Sequence, residues 1–288
     1  MIDSLIYKEE QREKKNFWAS DFDKPNLDLY FAYIGEPKTN GPKWYETLKW
    51  GAGNGVEDAM LKILKMNGVV AEDYDQKEHG GFKIEREGIT VRGYTDARNL
   101  DGEPIEIKSI NNANTNGIRE YANGYPRRNY VGQLSIYLDA LGKEKGYLFA
   151  SSIDGLHRFW FECTRVRDGV YKCGNVVVNV QDEYRRWAKL HAEHIVPRKL
   201  PDLFQYTYKY PVADIDWTKI SAAKISSART GKAVIGDWEL GWSAWKNRIV
   251  ELQGSQLGYT NAELEIIREK TAGYTTWKRP KRAVKSSE

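Results

Sequence analysis

The stretch Gly93-Tyr94-Thr95-Asp96-Ala97-Arg98-Asn99-Leu100-Asp101-Gly102-Glu103-Pro104-Ile105-Glu106-Ile107-Lys108 constrains this chain more than any other. Two β-rich halves flank Asp101-Gly102, which is a hairpin pattern. Strand alternation in the second half sends Ile105 and Ile107 to one face and Glu106 and Lys108 to the other. The turn decides whether Asp96 joins them. A two-residue loop at Asp101-Gly102 pairs Leu100 with Glu103 and sets Asp96 opposite Ile107, with the carboxylates on opposite sides. A three-residue loop, Leu100-Asp101-Gly102 with Gly102 left-handed, pairs Asn99 with Glu103 and Asp96 with Glu106. Two carboxylates on one surface repel unless a cation sits between them, and hard oxygen ligands suit Mg²⁺ or Mn²⁺. The plainer alternative is an exposed hairpin whose Glu106–Lys108 pair contributes roughly 0–1 kcal/mol.

Acid-x-Lys also occurs at Glu13, Glu36 and Asp75, so the tripeptide alone selects nothing. Glu13 lies in a charged N-terminal segment that reads as a helix, Glu36-Pro37-Lys38 in a turn, and Asp75-Gln76-Lys77 before the Gly80-Gly81 loop. Around the hairpin, a helix is expected over 54–66 with Val56, Met60, Ile63 and Leu64 on one face. Strands are expected over 69–74, 81–85, 89–99, 104–110, 146–152 and 157–163, and helices over 131–141 and 181–194. Helices on both sides of a mixed sheet make an α/β domain. The Pro/Tyr-rich run 195–211 cannot hold a regular helix and sets a boundary, giving a core at 1–196 and a mainly helical extension at 197–288 with helices over 239–252 and 261–271.

At 288 residues the chain can bury a sizeable core. No run approaches the roughly 18 apolar residues of a membrane helix, and the charged N-terminus has no secretory pattern, so a cytoplasmic protein is expected. Cys163 and Cys173 are too few for a disulfide framework, a four-cysteine zinc site or a cysteine-held iron-sulfur cluster. The net charge of +4 equals the excess of Lys278, Arg279, Lys281, Arg282 and Lys285 over Glu288, so the basic balance belongs to the tail. The histidines lack metal-ligand spacing, and Gly231-Lys232 lacks a phosphate-cradling loop, so no nucleotide cofactor is expected.

Asp96 followed by Glu106-Ile107-Lys108 resembles the signature of the PD-(D/E)XK nuclease superfamily. Gly53-Asn54-Gly55-Val56-Glu57 resembles the first motif of its RecB-like and lambda-type exonucleases, and Gln133-Leu134-Ser135-Ile136-Tyr137 the Gln-x-x-x-Tyr helix of the RecB-like branch. The resemblance covers about residues 18–160. Glu57 stands where RecB-like members usually carry His, as in lambda-type exonucleases, so three carboxylates are expected. Trp18-Ala19-Ser20-Asp21-Phe22-Asp23-Lys24-Pro25 resembles the start of iron-sulfur members, but Lys24 replaces a cluster cysteine and no cluster is expected.

The resemblance implies a restriction-endonuclease-like α/β core and phosphodiester hydrolysis dependent on one or two Mg²⁺ or Mn²⁺ ions. Asp96, Glu106 and the Ile107 carbonyl would hold metal, and Glu57 would reach the same ion or a second one. Lys108 would orient or deprotonate the attacking water, or stabilise charge on the phosphate; Gln133 and Tyr137 would touch the scissile phosphate or metal waters. Between them, Arg119, Tyr125, Arg127, Arg128 and Tyr130 interleave cations and rings, a composition suited to phosphates and unpaired bases. The expected activity is a DNA exonuclease on duplex or single-stranded ends, serving recombination, repair or phage DNA processing in a bacterial or phage-infected cell. The alternatives are a structure-selective or nicking endonuclease, or a non-catalytic DNA-binding or assembly protein whose working part is 197–288. A homo-oligomer or a recombination partner fits either.

Overall fold

A computed structural model of the protein describes residues 14–41, 44–110, 115–237, 240 and 243–273. The expected N-terminal helix and basic tail lie outside them. The chain divides near residue 201 into two compact units, with residues 38–41 belonging to the second. The boundary expected from sequence was 196/197.

In the first unit, α1 (Asn26–Ile34) starts after Pro25 and ends on left-handed Gly35. α2 (Trp44–Met66) and the short α3 (Gln76–His79) follow. β1 (Phe17–Trp18) runs parallel to β3 (Ile89–Tyr94), which pairs antiparallel with β2 (Gly81–Arg86) in a three-stranded sheet. The larger sheet has the order β4 (Ala97–Arg98), β5 (Pro104–Ile110), β6 (Lys145–Ser152), β7 (Arg158–Arg167), β8 (Val170–Cys173), β9 (Val176–Asn179). Only β5–β6 is parallel, so this sheet is mixed. The β5–β6 connection carries α4 (Thr115–Ala122) and α5 (Arg128–Leu141), and α6 (Val180–Leu190) follows β9. The architecture is α/β, a mixed sheet flanked by helices with a helical C-terminal region, consistent with a restriction-endonuclease-like core.

Two apolar layers hold β5. Ile105 and Ile107 pack with Met60 and Leu64 of α2. A second core joins Ile110, Val131, Leu134 and Leu138 with Leu148, Tyr184 and Trp187. Each fully buried aliphatic side chain contributes about 1.5–3 kcal/mol, so both faces of this strand are anchored. Glu106 and Lys108, alternating with Ile105 and Ile107, are held on the α5 side.

Several expectations need correction. The helix predicted from residue 54 begins at Trp44, so Gly53–Glu57 lies inside it, and Ile63 is about half exposed rather than inward. A Cβ on Gly53 would stand 2.8 Å from Ser109 Oγ, so this glycine admits β5 closely. Residues 69–74 form no strand beyond one bridge, Val70 to Asn99; Lys65 Nζ takes the Glu72 and Tyr74 carbonyls instead. The strand predicted over 89–99 breaks at Thr95-Asp96, where Thr95 N–H turns to the Gly80 carbonyl. The helix predicted over 181–194 ends at Leu190 and continues as a π-helical turn, His191–Ile195.

The second unit has its own core of Val212, Ile215, Trp217, Ile225, Ala228, Ile235 and Ile267. Its helices are α7 (Ala222–Arg229), α8 (Lys246–Leu252) and α9 (Asn261–Lys270). α9 opens on a Thr260/Glu263 capping box. Of the helix predicted over 239–252, residue 240 is helical and α8 covers the end, but residues 243–245 interrupt it with a turn in which Ser243 Oγ accepts from Trp245 N–H; residues 239, 241 and 242 lie outside the described residues.

Candidate active site

The hairpin adopts the three-residue loop. Ala97 pairs with Ile105 and Arg98 with Pro104; Asn99 N–H donates to the Glu103 carbonyl at 3.0 Å and Gly102 N–H to the Asn99 carbonyl at 2.9 Å. Gly102 is left-handed, φ 73°. Continuing this register sets Asp96 opposite Glu106. At that point the ladder is taken over by a side chain, since Asp96 Oδ2 accepts from Ile107 N–H at 2.8 Å. Asp96 is thereby fixed against β5, and Gln76 Nε2 donates to its Oδ1 at 3.2 Å.

Glu106 is fully buried, and neither carboxylate oxygen has a hydrogen bond of good geometry. Lys108 Nζ lies 2.5 Å from Glu106 Oε1, an ion contact, and 3.4 Å from Asp96 Oδ2. It also donates to the Ile107 carbonyl at 3.0 Å, the group expected as a third ligand. Burial, then the negative charge of Asp96, raises the Glu106 carboxyl to about 8. For Lys108, burial favours the neutral amine, but attraction to Glu106 and Asp96 outweighs it and keeps the ammonium. The lysine therefore acts here as a cation rather than a ready proton acceptor.

Glu57 belongs to the same group although it comes from the middle of α2. Its carboxyl is raised, chiefly by burial, with Lys108 opposing the shift, Asp96 adding to it and Ser109 N–H opposing it by hydrogen bonding. Because α2 starts at Trp44, Glu57 lies well inside the helix and not in its first turn. From α5, Gln133 Nε2 donates to Tyr137 Oη at 2.5 Å. The buried Tyr137 hydroxyl is held well above its ordinary range by burial and by the charges of Glu106 and Asp96. Its ring needs Gly93, where a Cβ would stand 2.6 Å from Phe82 and 3.0 Å from Tyr137.

The interleaved segment is not one loop. Arg119 is on α4, and Arg128 and Tyr130 are on α5. Tyr130 adjoins the site, with its ring 5.7 Å from Lys108 Nζ and 5.8 Å from the Arg127 guanidinium. Arg128 instead pairs with Asp23 at 3.1 Å and donates to the Val177 carbonyl. Arg119 and Tyr125 are exposed, and no contact ties them to the carboxylates. Gln76 was missed by sequence reasoning; nothing in its local pattern distinguishes it, since α3 brings it to Asp96.

The donor chemistry fits a hard divalent ion. The oxygens belong to Asp96, Glu106 and Glu57, and the two on Glu106 are buried with Lys108 as the charged group against them. Among the described residues no three His, Cys, Asp or Glu already converge as a ready-made metal cluster. The Lys108 ammonium takes the cation's place between Asp96 and Glu106. Lys24, at the position of the cluster cysteine in the resemblance, pairs with Asp21 at 3.0 Å.

No family model matches the chain, and no curated protein matches it. Among solved structures, one described as the crystal structure of SSO0001 aligns with a TM-score of 0.40 at 16% identity, covering 74% of this chain and 88% of that one. That likeness says nothing about function. Among the described residues no helix is long and apolar enough to cross a membrane.

Proposed function

We propose that the protein is a metal-dependent deoxyribonuclease, with an exonuclease acting on DNA ends as the leading form. One observation carries the reading: Glu106 is completely buried at the centre of a charged group, with Lys108 Nζ 2.5 Å from its Oε1 and 3.4 Å from Asp96 Oδ2. A carboxyl so placed is pushed up to about 8 by burial and the charge of Asp96, and groups perturbed in this way cluster at functional sites. Asp96, Glu106 and Glu57, with the Ile107 carbonyl, would hold Mg²⁺ or Mn²⁺. Such an ion supplies charge neutralisation and an acidified water.

The chain's own groups have separate tasks. The Asp96 carboxylate is oriented by Ile107 N–H and Gln76. Lys108 carries the positive charge that a phosphoryl oxygen requires, and its contact with Glu106 must loosen to deliver it. Gln133 and Tyr137 offer a polar edge to the same space, and Arg127 with Tyr130 lies at its border.

A second reading has its own support. Lys108 already neutralises Asp96 and Glu106, so the fold could hold DNA without cutting it. Both readings are tested by incubating end-labelled linear duplex, single-stranded DNA and a closed circle with Mg²⁺, Mn²⁺ or EDTA, using wild type and Glu106→Gln. Metal-dependent loss of linear substrates alone, absent in the variant, is the expected result. Cutting of the circle establishes the endonuclease form. Binding without cleavage in any metal overturns the nuclease reading.

A further inference from the structure

The outer face of the small sheet gathers groups that the proposed chemistry leaves unused. In register, Trp18 of β1 lies beside Arg92 of β3, and Arg92 lies opposite Lys83 of β2. One step along the same face, Tyr94 lies opposite Gly81. These residues and Phe82 line an open cleft of about 320 Å³. The Trp18 and Tyr94 rings are near parallel, 21° apart with centroids 6.2 Å apart, and Tyr94 is 46% exposed. Gly81 makes the shelf possible, because a Cβ there would stand 3.1 Å from the Tyr94 ring.

The cations beside the rings point to an anion. Like charges directly opposite on neighbouring strands destabilise a sheet. Arg92 and Lys83 are such a pair, both exposed, with Glu85 3.8 Å from Lys83 as a weak partial compensation. An exposed tyrosine ring backed by a partly buried tryptophan, next to two cations, matches a base joined to its phosphate. The shelf is also near the carboxylates along the chain: Tyr94 precedes Asp96 by two residues, a separation of at most about 7 Å. Phe82, at the edge of the cleft, contacts the ring of Tyr137 with centroids 5.5 Å apart.

We propose that this face binds one unpaired nucleotide of a nucleic-acid strand, its base stacked on Tyr94 and Trp18 and its phosphate between Arg92 and Lys83. The inference deepens the nuclease reading and rests on it for the strand's destination, the neighbouring carboxylate site.

The test is anisotropy of a labelled oligothymidylate in EDTA, so that binding is read without cleavage. The proteins are wild type, Tyr94→Ala and the double variant Lys83→Ala/Arg92→Ala, each checked for an unchanged melt. Tyr94→Ala is expected to weaken binding about tenfold, within the roughly 1–3 kcal/mol of one stacked base. The double variant should also flatten the salt dependence. Binding within twofold of wild type in both variants overturns the proposal. So does displacement of the oligomer by free thymidine monophosphate at equal concentration, which makes this a mononucleotide site. A parallel cleavage assay with Mg²⁺ separates the two readings. If wild type cuts nothing but Tyr94→Ala still loses strand binding, the nuclease reading fails and the shelf stands. If wild type cuts and Tyr94→Ala matches it in binding and KM, the shelf fails and the nuclease reading stands.

Discussion

Two acidic side chains in the first unit are fully buried beside lysines, and they are treated in opposite ways. Asp21 accepts from Trp18 N–H at 2.8 Å, from Lys14 at 2.5 Å and from Lys24 at 3.0 Å. Burial pushes its carboxyl up, but the charges of Lys24 and Lys14 outweigh this and hold it below the ordinary value. Glu106 has an ion contact to Lys108 and no well-formed hydrogen bond, and its carboxyl rises to about 8. The difference separates a carboxylate that ties a chain segment together from one whose bonding capacity is held open. A fold tolerates the second kind where an outside partner completes it.

The largest expected effect is on chemistry. Asp96→Ala and Glu106→Ala should each lower cleavage on the order of 10³-fold or more with folding retained, while Asp21→Asn leaves the rate of its folded fraction near wild type. Comparable rates for all three in a single-turnover assay would erase the distinction. Next comes stability. Asp21→Ala strands the half-buried Lys14 and the Trp18 N–H, and should cost about 3–5 kcal/mol in urea unfolding. A loss below 1 kcal/mol would show that the triad is ornamental.

Glu106→Gln should act in the opposite direction. Because its folded pKa is raised, the contribution of Glu106 is fully present below the ordinary carboxylate range and is lost as pH rises through about 8. In EDTA, wild type should therefore lose stability between about pH 5 and 9, by up to a few kcal/mol, and Glu106→Gln should lack that loss. Asp21, with its lowered pKa, contributes above the ordinary range and loses that contribution as pH falls. Thermal melts of wild type and Glu106→Gln between about pH 5 and 9, and of wild type and Asp21→Asn as pH falls below the ordinary carboxylate range, check both signs. The smallest effect belongs to Lys24→Ala. This lysine is half exposed and Lys14 remains, so the cost should be under about 1 kcal/mol; a larger loss would give Lys24 a role beyond the ion pair.

Much of this arrangement was legible beforehand. Alternation in 104–110 set Ile105 and Ile107 against Glu106 and Lys108, and the four-residue spacing of Gln133 and Tyr137 set them on one helical face. Other elements were readable but missed: Asp168-Gly169 and Gly174-Asn175 are turn pairs, one before β8 and one between β8 and β9, with both glycines at positive φ. The start of α2 was misplaced because glycines at 51, 53 and 55 read as a helix boundary, whereas packing on β5 carries the helix through them.

The residue pattern by itself determined that a carboxylate and a lysine share one face of a buried strand, because side-chain direction follows from a period of two. It left open whether Asp96 would face them, since that depended on a single residue in a turn. Only the tertiary structure decided it, through left-handed Gly102 and the Asp96–Ile107 bond. Only the tertiary structure brought Glu57 and Gln76 to the same place, because such contacts depend on how a helix crosses a sheet. The openness of Glu106 was likewise decided there, since whether a buried carboxylate is satisfied depends on neighbours distant in the chain.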